Sequence, residues 1–189
     1  MSRIRSQGLG GWRRWRYAGG ALLLASAAAF AAAPLSEYQV KAVYLFNFGQ
    51  FVEWPAEAFR SPGAPFVIGI VGQDPFGELL EDVVRGESLG TRQIVVKRFR
   101  SADEITDCNI LFIGRADAER LPATLAALRG RSVLTVTDIV GAETRGAIIV
   151  LVNDKNRIRM RINLAAAKAS NLVISSKLLR PAEVIGGDG

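Results

Sequence analysis

A chain of 189 residues, 49% apolar and 22% charged, supplies one ordinary hydrophobic core and not two. It contains no histidine, so a Ser-His-Asp or Cys-His site cannot form, and a zinc site would fall to carboxylates and one cysteine. The formal charge of +6 belongs to the front of the chain: residues 1–31 carry five of the 24 basic residues and no acid, leaving 19 basic against 18 acidic, which excludes a basic nucleic-acid-binding body.

The front segment reads as a signal peptide. Arg3, Arg5, Arg13, Arg14 and Arg16 precede Ala21–Ala33, a run of small and apolar residues with a cleavage position after Ala31. This run of 13 residues before Pro34 is short of the ~20 needed to span a bilayer. Arg13-Arg14 lacks the rest of a twin-arginine motif, and no cysteine near the cut offers a lipid anchor. The expected mature chain, residues 32–189, is exported and soluble.

Ser36 and Gln39 form a capping-box pattern that predicts a helix from Glu37 to about Val52, ended by Pro55. Val40, Tyr44, Phe48 and Phe51 recur at helical spacing, yet Leu45, Phe46 and Val52 fall on other faces, so the helix is apolar nearly all round. Such a helix is either buried under a sheet or shared with a second chain. Tyr44, Phe48, Phe51 and Trp54 are the candidate dimer or partner contacts.

Phe66–Val71 reads as a strand buried on both faces. Asp74-Pro75 then starts a helix striped with Phe76, Leu79, Leu80 and Val83 and stopped by Gly86. Ile94–Phe99, Asn109–Ile113 and Val133–Val136 read as further strands, with helical segments at Ala102–Thr106 and Pro122–Leu128. This alternation predicts right-handed crossovers and a mainly parallel sheet. Cys108, the only cysteine, opens one of these strands as a buried small hydrophobe, with a reactive or intermolecular thiol as the alternative.

Beyond Gly146 the pattern changes. Ala147–Val152 and Arg157–Ile162 flank Asn153-Asp154-Lys155-Asn156 as an antiparallel hairpin. Arg157, Arg159 and Arg161 alternate with Ile158, Met160 and Ile162, which makes the arginine face a solvated edge or a dock for an acidic partner. Asn163 caps a short helix to Ser170, and Leu172–Ile174 returns to the sheet. The fold class is a single three-layer α/β domain, with a mainly parallel sheet and a C-terminal antiparallel hairpin.

Chemistry is sparse. Gly69, Gly72 and Gly77 cross a strand-to-helix junction without the spacing of a dinucleotide or phosphate loop, and Asp74 places an acid where an anion would sit. Loops at the carboxyl ends of parallel strands leave Asp74, Arg115 and Asp138 as candidate ligand-binding residues. Ser175-Ser176-Lys177 lacks the spacing of a lysine-activated serine, and Glu81 and Asp82 read as solvated. No catalytic, metal or cofactor set emerges, and the expectation is a protein that is not an enzyme.

The segments from Glu37 to Phe48, Phe51 to Pro55, Gly69 to Gly77, Ile162 to Ala167 and Ile174 to Leu179 resemble the YfiR family of exported bacterial proteins. The resemblance spans about Ser36 to Ile185. It implies a periplasmic regulator that binds the periplasmic part of an inner-membrane diguanylate cyclase, or another membrane sensor, and represses it. It further implies sequestration by an outer-membrane lipoprotein, a homodimer, and control of cyclic-di-GMP and biofilm without catalytic residues or cofactors. A periplasmic small-molecule binder is the competing expectation. Familiar members carry several cysteines joined in disulfides, and Cys108 stands alone here.

Overall fold

Ser36 begins the first helix as its pattern requires. Its hydroxyl accepts the Gln39 N–H at 3.2 Å, and Gln39 Oε1 accepts the Ser36 N–H at 2.7 Å. The computed structural model describes residues 35–186, so the signal segment expected at residues 1–31 lies outside the described residues. Helix α1 spans Glu37–Phe51 and ends before Pro55, because Val52–Glu53 extends as strand β1.

Strand β2 (Phe66–Val71) is buried along its whole length, as an all-apolar run in the middle of a parallel sheet should be. Next come α2 (Leu79–Val84), β3 (Ser88–Leu89), β4 (Arg92–Phe99), β5 (Ile110–Ile113), α3 (Leu121–Ala127) and β6 (Leu134–Thr137). The chain closes with β7 (Ile149–Asp154), β8 (Arg157–Asn163), α4 (Leu164–Ala169), β9 (Val173–Ile174), α5 (Ser176–Leu179) and β10 (Glu183–Ile185). Eight strands form one sheet in the order β10-β8-β7-β6-β5-β2-β4-β3, parallel from β4 through β7 and antiparallel at β7-β8 and β3-β4. The expected mixed α/β class, with a mainly parallel sheet and a hairpin, is the observed one.

Alternation along each strand builds two cores. Ile110 and Phe112 of β5 join Ile68, Ile70 and Val136 under α1, α2, α4 and α5. Leu111 and Ile113 face the other way and pack with Val150, Leu121 and Leu128 beside α3. Helix α1 rests on the larger core through Ala42, Leu45 and Phe48, all fully buried. The hairpin turns at Lys155 and Asn156, whose φ values of +49° and +63° are those of the two-residue turn that matches strand twist.

Four expectations need correction. The helix expected from Asp74-Pro75 starts only at Leu79, because Gly77 sits at φ +56° and interrupts the helical path. Ala102–Thr106 is reduced to a single 3-10 turn at Ala102–Glu104. Leu172–Ile174 does not rejoin the main sheet: β9 pairs antiparallel with β1, Val52 opposite Ile174, as a separate two-stranded piece. The arginine-bearing arm is not a free edge along its whole length, since β10 adds in parallel over Arg161–Asn163.

Candidate functional site

The ends of β5, β6 and β7 and the start of α1 converge at the carboxyl end of the sheet. Asp138 follows β6, Arg115 follows β5, and Glu37, Tyr38 and Lys41 occupy the first turns of α1. Lys41 lies in a helix with apolar residues on every side and is 0% exposed. A buried ammonium must be paired, and Lys41 Nζ donates to Asp138 Oδ2 at 2.6 Å and to Glu37 one turn earlier. It also lies 4.6 Å from the centre of the Tyr38 ring. Tyr38 donates its hydroxyl hydrogen to the same Asp138 oxygen at 3.0 Å.

Arg115 closes the cluster from the solvent side. Its Nε donates to Asp138 Oδ2 at 3.1 Å and its Nη2 to Glu37, while Asn153 Nδ2 donates to Glu37 Oε2 at 2.8 Å. Two cations and two carboxylates therefore neutralise one another, and three sequence-distant elements are tied to the helix start. Asp138 Oδ1 is buried and has no hydrogen-bond partner among the described residues. Burial raises the Tyr38 phenol above its ordinary range, and the neighbouring Asp138 charge and hydrogen bond add to the rise.

Partial burial pushes Glu37 upward, but hydrogen bonds from Lys41 and Asn153 and the charges of Lys41 and Arg115 prevail and hold it at about 2. Because the folded value lies below the unfolded one, Glu37 contributes stability at pH values above the ordinary carboxylate range. That contribution is lost as pH falls from about 4.5 toward about 2. Urea melts across this window are expected to show a loss of stability that Glu37→Gln makes shallower; equal slopes in both proteins would contradict this coupling.

The second feature is the crevice between β2 and β5. The chain leaves β2 toward β4 on one side and returns to β5 on the other, and at such a reversal an open α/β sheet binds its ligand. Here the buried Asp117 carboxylate occupies the crevice and accepts the Gln73 N–H at 2.9 Å. Gly72, at φ +76°, lies so close that a Cβ there would overlap this carboxylate. An internal acid thus takes the position an anionic ligand would need.

Of the candidate ligand residues, Arg115 and Asp138 meet and Asp74 stands apart. Asp74 Oδ1 accepts the Phe76 N–H at 2.7 Å, and its Oδ2 accepts from Arg98 Nε at 2.7 Å. Arg98 also donates to Glu81 and to the Gly77 carbonyl at 2.7 Å, so Glu81 is paired across to β4. Of the candidate contact residues, Phe48 is fully buried, and its enclosure in the core removes it from any surface of this conformation. Trp54 is committed inward, donating from Nε1 to Asn109 O at 3.2 Å and meeting Phe66 edge-on at 4.9 Å. Tyr44 and Phe51 are half-buried, Tyr44 stacking on Phe48 at 5.9 Å.

Cys108 is buried, its thiol donating to Ile110 O at 2.9 Å, and burial pushes that thiol up to about 12. It packs where Gly69 leaves room, since a Cβ on Gly69 would come within 2.6 Å of its sulfur. Sequence reasoning missed Glu37, Lys41 and Asp117. The first two carried a signal: an acid and a lysine four residues apart in a helix with no polar face require burial and a counter-ion. Asp117 carried none, since a loop acid is ordinarily solvated.

Fold and site together define a doubly wound α/β domain whose ligand crevice holds its own carboxylate and whose strand-end charges are tied to its first helix. The sequence profile of the YfiR/HmsC-like family matches residues 38–183, and the chain belongs to that family. No curated protein matches the chain.

Proposed function

We propose that this protein is an exported, non-enzymatic regulator that binds the periplasmic part of an inner-membrane diguanylate cyclase and holds it inactive. Membership of the YfiR/HmsC-like family over nearly the whole described chain carries this reading. The internally paired charges at the sheet's carboxyl end agree with it: Lys41, Arg115, Glu37 and Asp138 neutralise one another, and Asp117 fills the crevice. Residues 1–31 would be removed on export. Tyr44 and Phe51, half-buried on α1, are the aromatics that a cyclase or a second copy of the chain would cover. An outer-membrane lipoprotein that takes the regulator away would relieve the repression.

The test is intracellular cyclic-di-GMP in the native host with and without the gene, and again in a strain lacking the cyclase. A rise on deletion that vanishes in the double deletion is expected. An unchanged level on the first deletion would overturn the reading. Tyr44→Ser and Phe51→Ser are expected to reproduce the rise in a protein that is still exported and still unfolds in one cooperative transition, at a Tm lowered by the loss of half-buried aromatic area.

A further inference from the structure

One stretch of β8 has a neighbour on only one side. β10 pairs with β8 over Arg161–Asn163, so among the described residues Arg157–Met160 has β7 alongside and no strand opposite. The Asn163 N–H points toward β7, onto Ile148 O at 2.8 Å. By the alternation of an antiparallel ladder, Arg157, Arg159 and Arg161 also turn their backbone groups toward β7, and Ile158 and Met160 aim their N–H groups outward. The side chains alternate as well. Ile158 and Met160 pack into the core, while Arg157 and Arg159 are exposed on the opposite face.

The edge is charged as well as open. Lys155, Arg157 and Arg159 stand against Asp154 alone, in a body otherwise close to neutral. Asp154 accepts from Arg159 Nε at 2.6 Å, an exposed pair that an incoming carboxylate can share or replace at little cost. β10 is an internal precedent for what this edge accepts: a parallel strand that sets Glu183 opposite Arg161 and takes its Nε–H at 3.0 Å.

We propose that the Arg157–Met160 edge docks an extended acidic segment of a partner protein, which adds as a strand with alternate carboxylates facing Arg157 and Arg159. Outward N–H groups supply the affinity and the arginine stripe supplies the selection. A second copy of this edge is a poor occupant, because pairing would set arginine against arginine. The inference rests on the regulatory reading in one respect: it assigns the acidic segment to the periplasmic part of the cyclase.

The test uses the exported chain with two probes, a short peptide alternating glutamate with valine and the cyclase's periplasmic part. Both are expected to slow hydrogen exchange at the Ile158 and Met160 amides, and the same peptide with lysine in place of glutamate is not. Ile158→Pro deletes one outward N–H at a position where an edge tolerates proline, and it should weaken both complexes about tenfold or more. The double substitution Arg157→Glu with Arg159→Glu should do the same without touching the backbone. Unprotected amides, or equal affinity in the double variant, would overturn the proposal. A wild-type protein that protects these amides against the peptide and ignores the cyclase would uphold the edge and overturn the cyclase reading.

Discussion

Lys41→Ala is expected to cost about 3–5 kcal/mol of folding stability, because it leaves the Asp138 carboxylate buried without its strongest partner. Lys41 Nζ is the one donor to Asp138 that is itself fully enclosed, whereas the Arg115 side chain is 56% exposed. Arg115→Ala should therefore cost no more than about 1 kcal/mol. The orphaned Asp138 Oδ1 sharpens the contrast, since this carboxylate already has one oxygen without a partner among the described residues. Removing both charges, as Lys41→Met with Asp138→Leu, should recover most of the loss, because a buried pair replaced by apolar groups of similar volume is often neutral. Urea denaturation of the four proteins measures the coupling. Equal losses for Lys41→Ala and Arg115→Ala would show that the helix start is not anchored by its lysine.

Gly72→Ala is the second large effect, expected at about 2–4 kcal/mol from two sources. An L-residue at φ +76° pays roughly 1–2 kcal/mol for the left-handed backbone. The added methyl also displaces Asp117, which loses the Gln73 N–H bond and is left buried, for another 1–2 kcal/mol or so. The two sources can be separated by a double-mutant cycle. In an Asp117→Ala background the steric part disappears and only the backbone part remains, so Gly72→Ala should cost less there than in the parent protein. Full additivity would mean that the carboxylate does not fill the crevice. Gly77→Ala, at φ +56° with open space around its Cβ position, supplies a control for the backbone part alone.

The readings that came directly from residues were those governed by local rules. The capping box at Ser36 and Gln39, the Asn163 cap accepting the Ala166 N–H at 2.9 Å, and the all-apolar β2 depend on neighbours within a few positions. The short pieces were not legible. β1, β3, β9 and β10 hold two or three residues each, too few for a period-two pattern to stand out. β9 was misplaced for the same reason: nothing local distinguishes a strand that joins the main sheet from one that pairs with the two-residue β1.

The candidate site divides along the same line. Position after a parallel strand was enough to select Arg115 and Asp138, which meet at 3.1 Å. The same rule selected Asp74, which turned instead to Arg98 and its own turn. Aromatic character selected Tyr44, Phe48, Phe51 and Trp54 together, and packing then separated them, enclosing Phe48 and tying Trp54 to Asn109.

The amino-acid sequence by itself determined the class of this protein: an α/β body of nearly balanced charge behind an arginine-rich front segment, without histidine, and carrying the motifs of its family. Those properties follow from composition, periodicity and caps, which act within a turn or a strand. Only the tertiary structure decided that Lys41 is buried against Asp138, that Asp117 occupies the β2-β5 crevice, and that half of the arginine arm keeps an open edge. Each of these joins residues that are far apart in the chain. Such contacts depend on which strand ends the parallel crossovers bring side by side, and no local pattern encodes that choice.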